Sequence, residues 1–147
     1  MTIQPYFRKA SYYETDQMGI IHHSNYIRWF EDARVDLMEQ MGYGYERAAE
    51  SGIDFVLIGL SCEYKSMVRF GDSVLICVEE GAVTPSRMSL YYTVRDAKTN
   101  ELRATGETRH CYFSRKTGRP ASLKKELPEL YALIMGLTAN QYNIGYK

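Results

Sequence analysis

The spacing of apolar residues along this chain changes period as it goes, and each change marks an element. Residues 6–13 read as a first strand. Ile27, Phe30, Ala33, Leu37, Met38 and Met41 then recur at spacings of three and four, which predicts a long amphipathic helix over 24–41. Arg34 is the one polar interruption of that stripe, and Asp32, Asp36, Glu39 and Gln40 take the other face. Ser24 or Asn25 suits the N-cap, and Gly42 suits the C-terminal stop. At roughly 1.5 Å per residue the helix reaches about 26 Å, enough to cross a small sheet. A further helical turn is expected at 45–50.

From residue 56 the period becomes two. Val56, Ile58, Leu60, Cys62 and Tyr64 alternate with Leu57, Gly59, Ser61, Glu63 and Lys65. A strand over 74–79 follows the Gly71-Asp72 turn. In the next, Met88, Leu90, Tyr92 and Val94 alternate with Arg87, Ser89, Tyr91, Thr93 and Arg95. In the last strand Leu102, Ala104, Gly106, Thr108, His110 and Tyr112 share one face, where the small Ala104 and Gly106 suit close approach of a packed helix. The connections at 84–86 and 96–100 are short, so neighbouring strands run antiparallel, and the helix must cover one face of the sheet. The fold class is α+β: a five-stranded antiparallel sheet wrapped around one long central helix. Residues 123–137 predict a second helix or half-ordered tail, with Pro128 near its start. No repeat or linker divides the sequence. One domain over 1–147 is therefore expected, with its core at about 6–128 and a C-terminal helix or tail at about 123–147.

Composition narrows the function classes. The chain has 147 residues and is 45% hydrophobic, enough for a core without staples. Lys+Arg and Asp+Glu balance at 18 each, so no global field draws it to nucleic acid or an anionic membrane. The three cysteines, Cys62, Cys77 and Cys111, lack CxxC spacing and fall in predicted strands. They read as free, buried thiols in a reducing cytosol. The N-terminus has no signal-like apolar run, and no segment has the length of a membrane span. A soluble, cytoplasmic protein is expected.

The chemistry concentrates at 12–26. Asp16 stands in a Gly-bearing turn between the first strand and the helix, with Tyr12, Thr15, His22, His23 and Asn25 crowded around it. Two readings stay open. Asp16 either forms the turn or caps the helix, or its carboxylate works with free helical N–H groups to attack a carbonyl and stabilise the oxyanion. Other sites fall away. Gly59-Leu60-Ser61-Cys62-Glu63 lacks the closing glycine of a nucleophile elbow, and Gly42-Tyr43-Gly44 lacks the third glycine of a dinucleotide loop. His22 and His23 are adjacent and point apart if the chain is extended, leaving only His110 to join them, so no metal is expected.

The segment 12–31, with Thr15-Asp16, Gly19, His23, Asn25-Tyr26 and Trp29-Phe30-Glu31, resembles the acyl-CoA thioesterases of the hotdog fold. It is most similar to the 4-hydroxybenzoyl-CoA thioesterase-like branch that includes the Tol–Pal-associated enzymes. Tyr64 with the Gly71-Asp72 turn, Ala104-x-Gly106-x-Thr108-x-His110 and Gly118-Arg119-Pro120 extend the likeness over about 6–128. The resemblance implies hydrolysis of acyl-CoA thioesters without a cofactor. It puts the catalytic Asp on Asp16, the carbonyl-polarising N–H and the branch's His on His23, and the upstream Tyr on Tyr12. Some hotdog thioesterases place a catalytic Glu on the central helix, but with Asp16 in the carboxylate role Glu31 reads as part of a polar helix rim or a subunit contact. The resemblance further implies a homodimer or homotetramer with shared active sites. Arg69, Arg87, Arg115, Lys116 and Arg119 are candidates for the CoA phosphates. Two alternatives remain beside it: a non-enzymatic acyl-thioester-binding module, and a thioesterase acting on acyl carrier protein.

Overall fold

The computed structural model describes residues 2–137 and residue 142. Strand β1 (Tyr6–Lys9) is followed by a 3-10 turn at Tyr12–Glu14, helix α1 (Ser24–Gln40) and the short α2 (Tyr45–Ser51). Strands β2 (Ile53–Tyr64), β3 (Ser73–Val83), β4 (Arg87–Asp96) and β5 (Leu102–Ser114) come next. The two-residue β6 (Arg119–Pro120) precedes α3 (Leu123–Glu126) and α4 (Pro128–Met135). The sheet order is β1-β3-β4-β5-β2, every pair antiparallel, with β6 added on β5. The five expected strands and the central helix are thus present, in the α+β hotdog arrangement.

The apolar stripe of α1 buries Tyr26, Trp29, Phe30, Ala33 and Leu37. Phe30 stacks on Tyr92 of β4 with centroids 4.5 Å apart, and its ring fills the space that a Cβ on Gly106 of β5 would need. That glycine lets the helix lie close on the sheet. The helix ends as its sequence predicts. Gly42 adopts φ 82°, its N–H donates to Glu39 O, and Tyr43 N–H donates to Met38 O at 2.8 Å. This is a Schellman stop, which closes carbonyls that would otherwise be orphaned.

Five expectations need correction. Ile27, placed on the apolar stripe of α1, is exposed, because the buried face of the helix runs through Tyr26, Trp29, Phe30, Ala33 and Leu37. The first strand ends at Lys9 rather than at residue 13, because the chain turns there into the 3-10 segment. The N-cap is His23, not Ser24 or Asn25, and the His22 imidazole Nδ1 accepts the Ser24 N–H at 3.1 Å. Strand β2 does not alternate uniformly. A bulge between Leu57 and Gly59 sets Leu57 opposite His110 and Leu60 opposite Thr108, so the side turned to the core changes parity at Ile58. The three cysteines do lie in strands as free thiols, but half-buried rather than buried.

The two edges of the sheet differ. Beyond β1, the outer edge of β3 is closed by the C-terminal segment: Tyr142 Oη bonds both N–H and O of Val78, and Glu80 N–H donates to Leu137 O. Strand β2 has no partner on its outer side among the described residues, and Val56, Leu57, Ile58 and Leu60 are exposed along it. The expected C-terminal helix or tail is present as α3 and α4. Its residues 138–141 and 143–147 lie outside the described residues. No helix among the described residues is long and apolar enough to cross a membrane.

Candidate active site

The loop between β1 and α1 is held by one carboxylate. Glu14 is 3% exposed and accepts from Arg8 Nη2 at 2.8 Å, Trp29 Nε1 at 2.7 Å and Ser11 N–H at 2.9 Å. Its carbonyl takes Asn25 Nδ2 at 2.8 Å and His22 N–H at 2.9 Å. Glu14 therefore joins strand, loop and helix start through both its side chain and its backbone. A buried carboxylate is tolerated when donors surround it in this way. Sequence reasoning passed over Glu14. The signal available was Glu14 at the third position of a Ser11 capping box.

Asp16 follows on the outer arm of this loop, half-buried. Its N–H donates to Ile20 O and its carbonyl accepts from Gly19 N–H, closing a tight turn in which Gly19 has φ 77°. Oδ1 accepts the Met18 N–H at 2.8 Å, and Oδ2 has no partner among the described residues. Asp16 thus forms the turn, as one reading held, but it does not cap α1. The turn is pinned to the loop between β2 and β3: Ile21 N–H donates to Val68 O, and Ile20 bridges Arg69.

His23 lies at the entry to α1, exposed, with helical φ −54° and ψ −29°. That backbone stacks its ring on His22, centroids 4.0 Å apart, where an extended chain would have separated them. The His23 N–H has no acceptor among the described residues, and its carbonyl accepts from Tyr64 Oη at 3.0 Å. Since His22 Nδ1 accepts from a backbone N–H, the proton of the neutral His22 ring sits on Nε2. Tyr12 faces solvent and packs edge-on against Phe70 at 5.6 Å. No hydrogen bond or ring contact joins the side chains of Tyr12, Asp16 and His23 to one another among the described residues.

Two hollows flank α1. One, about 640 Å³, is polar and follows the first turns of the helix past Arg8, Thr15, His22, Asn25 and Arg28. The other, about 440 Å³, lies under the C-terminal half of the helix. Asp16, His23 and Tyr12 line neither, and Glu31, exposed on the helix, borders both. His110 is far from the histidine pair in its bonding: it is buried and bonded to Thr108. No three His, Cys, Asp or Glu side chains gather as a metal site among the described residues. Of the candidate cations for CoA, Arg115 is engaged by Asp54 at 3.3 Å and by Ala49 O. Arg69 is the one whose backbone pairs with the Asp16 turn.

An antiparallel sheet wrapped around one long central helix is the hotdog arrangement of the thioesterases. The chain belongs to the thioesterase-like superfamily, which it matches over residues 11–131, and it is an enzyme, a thioester hydrolase. It is 35% identical over 127 residues to a protein of Aquifex aeolicus (strain VF5) provisionally named an esterase, covering 85% of this chain and 94% of that one. It is 29% identical over 88 residues to the acyl-CoA thioester hydrolase YbgC of Escherichia coli O6:H1, covering 59% of this chain and 63% of that one. Among solved structures, the DHNA-CoA thioesterase of Staphylococcus aureus superposes with a TM-score of 0.81 at 28% identity, covering 90% of this chain and 88% of that one.

Proposed function

We propose that this chain is an acyl-CoA thioesterase of the Tol–Pal-associated type, acting in the cytoplasm as one hotdog domain and needing no cofactor. The observation that carries the reading is Asp16, a half-buried carboxylate with one oxygen open, beside a helix entry whose His23 N–H is also open. A thioester lacks much of the resonance stabilisation of an ester, so a positioned carboxylate and one carbonyl-polarising donor suffice. On one route Asp16 attacks the carbonyl carbon, the C–S bond breaks, CoA leaves as thiolate and takes a proton, and water cleaves the mixed anhydride. On the other, Asp16 removes the proton of the attacking water and CoA leaves in the same way. Each route places the developing oxyanion at the His23 N–H and the positive end of α1, a donor worth roughly 10²–10³ in rate. Tyr12 takes the place of the family's upstream tyrosine, and Arg69, whose backbone pairs with the Asp16 turn, is the cation best placed for a CoA phosphate.

The reading includes a homodimer or homotetramer with shared sites. What supports it is the long open edge of β2, which carries exposed apolar side chains, while the opposite edge is only the four-residue β1, with β3 covered beyond it by Tyr142 and Leu137. Tyr64, at the end of β2, already touches the helix entry through His23 O, so a second copy paired along β2 reaches the Asp16 turn.

The test is free-thiol release from a panel of aliphatic and aromatic acyl-CoA thioesters, with acyl carrier protein thioesters alongside. Turnover of at least one acyl-CoA is expected, at a rate that exhaustive EDTA leaves unchanged. Release only from the carrier protein thioesters changes the substrate. Saturable acyl-CoA binding without release removes the catalytic assignment.

A further inference from the structure

Arg34 interrupts the apolar stripe of α1, and the reading above gives it no part. Its Nη1 donates to Tyr92 Oη at 3.1 Å. Tyr92 Oη lies 2.6 Å from Thr108 Oγ1, and Thr108 Oγ1 lies 2.9 Å from His110 Nε2. A guanidinium only donates, so Tyr92 Oη accepts at that end. The arrangement that uses every proton then runs one way: Tyr92 donates to Thr108, and Thr108 donates to His110 Nε2. Reversed, it strands the Tyr92 proton in the core. The neutral His110 ring therefore carries its proton on Nδ1. That atom is buried without a partner among the described residues, on a side chain only 2% exposed.

Arg34 and His110 both stand on the wall of the hollow of about 440 Å³ under α1. Most of the remaining wall is apolar, with Leu37 and Met38 from α1, Phe55 from β2, Leu90 from β4 and Ile134 from α4. Arg34 forms no ion pair within 4.0 Å among the described residues; Glu31 on the same wall is exposed and unpaired with it, and Asp54 and Arg115 pair with each other. The wall thus offers two donors with unused capacity and, among the described residues, no buried carboxylate to meet them. Its volume falls in the range of small-molecule pockets, roughly 300–1,000 Å³. We infer that this cavity is a second small-molecule site, which takes an apolar carboxylic acid with its carboxylate on Arg34 and His110 and its hydrocarbon body between α1 and the sheet. Asp16, His23 and Tyr12 do not line it. A free acid is also what thioester hydrolysis releases. That consequence, though not the site itself, rests on the function proposed above: the enzyme holds a place for its product class apart from the reacting carbon.

Isothermal titration of the full chain carrying Asp16→Asn, so that turnover does not intervene, tests this with octanoate, octanol and octylamine. Saturable binding of one octanoate per chain is expected, at least about 10-fold tighter than octanol, with no binding of octylamine. Arg34→Met should weaken octanoate about 10-fold or more and leave octanol alone. Met38→Trp, which fills the cavity, should abolish both. Should either variant fail to fold, the comparison of head groups on the parent chain decides, with the ¹⁵N shift of His110 Nδ1 moving on octanoate addition. Absence of saturable octanoate binding overturns the inference, and so does octanoate no tighter than octanol. Octanoate bound equally by all variants belongs beside Asp16 as product, and overturns it too. None of these readouts uses thioester turnover, so failure here and failure of the acyl-CoA panel are separate results.

Discussion

Glu14 and Asp16 carry the same functional group two positions apart and use it in opposite ways. Glu14 spends both oxygens on Arg8, Trp29 and Ser11 inside the protein, whereas Asp16 keeps Oδ2 open. Asp16→Asn preserves the acceptor for the Met18 N–H and removes the anion. Turnover should fall by roughly 10²–10⁴, the scale of losing a general base, with the melting temperature held. A purified variant that kept more than a third of parental activity would remove Asp16 from the mechanism. Glu14→Ala leaves the buried indole N–H unpaired and Arg8 with only the Asp32 carboxylate at 3.7 Å, and should cost about 3 kcal/mol in urea unfolding. Emission from Trp29, the sole tryptophan, should shift red. A loss below about 1 kcal/mol would mean that water replaces the carboxylate. The turn at Asp16 was legible in the sequence because Gly19 follows it just before a helix start. Glu14 was not, since its partners Arg8 and Trp29 meet it only once β1 and α1 are packed together.

At the scale of elements, the helix and the alternating strands were legible wherever one face is buried. The stop at Gly42 was legible for a different reason, since only a left-handed residue closes that motif cheaply. The bulge in β2 was not, because Val56, Leu57 and Ile58 are apolar at both parities and register leaves no trace in such a run. The contact between β5 and α1 has a consequence in pH. Burial, and then the charge of Arg34, lowers the His110 pKa from 6.5 to about 4. The folded chain leaves His110 neutral across that interval while the unfolded chain takes up a proton. Stability should therefore fall as pH drops from about 6.5 to about 4, by up to about 1.4 kcal/mol per unit, and this group adds nothing below. Asp96 acts in a lower window. Burial opposes its ionisation, but the N–H groups of Thr99 and Lys98 and the Arg103 guanidinium prevail and hold its pKa at about 2. Urea midpoints measured from pH 7 to pH 4 should thus slope for the parent and flatten for His110→Gln. Equal slopes in the two proteins would assign the effect to another group.

At the scale of the whole molecule, the difference between the sheet's two edges bears on the proposed assembly. Light scattering of the parent should give a whole multiple of the 17.0 kDa chain. Ile58→Lys puts a charge on the bulge of the open edge, and should yield monomers that have lost thioesterase activity together with the contact. A monomeric variant with full activity would show that each chain holds a complete site. The opposite edge has a short β1 bearing Arg8 and Lys9, and beyond it the tyrosine hydroxyl of Tyr142 and the carbonyl of Leu137 occupy β3. A ribbon with two sticky borders can grow without limit, as a fibril does. With one border cut to four residues of β1 and β3 covered beyond it, two copies that meet along β2 in the proposed dimer use up the long apolar border of each, and growth along the sheet is disfavoured past two. Leu137 and Tyr142 are in this sense a stop on β3, and truncation before Leu137 should turn a self-limiting assembly into a more open-ended one.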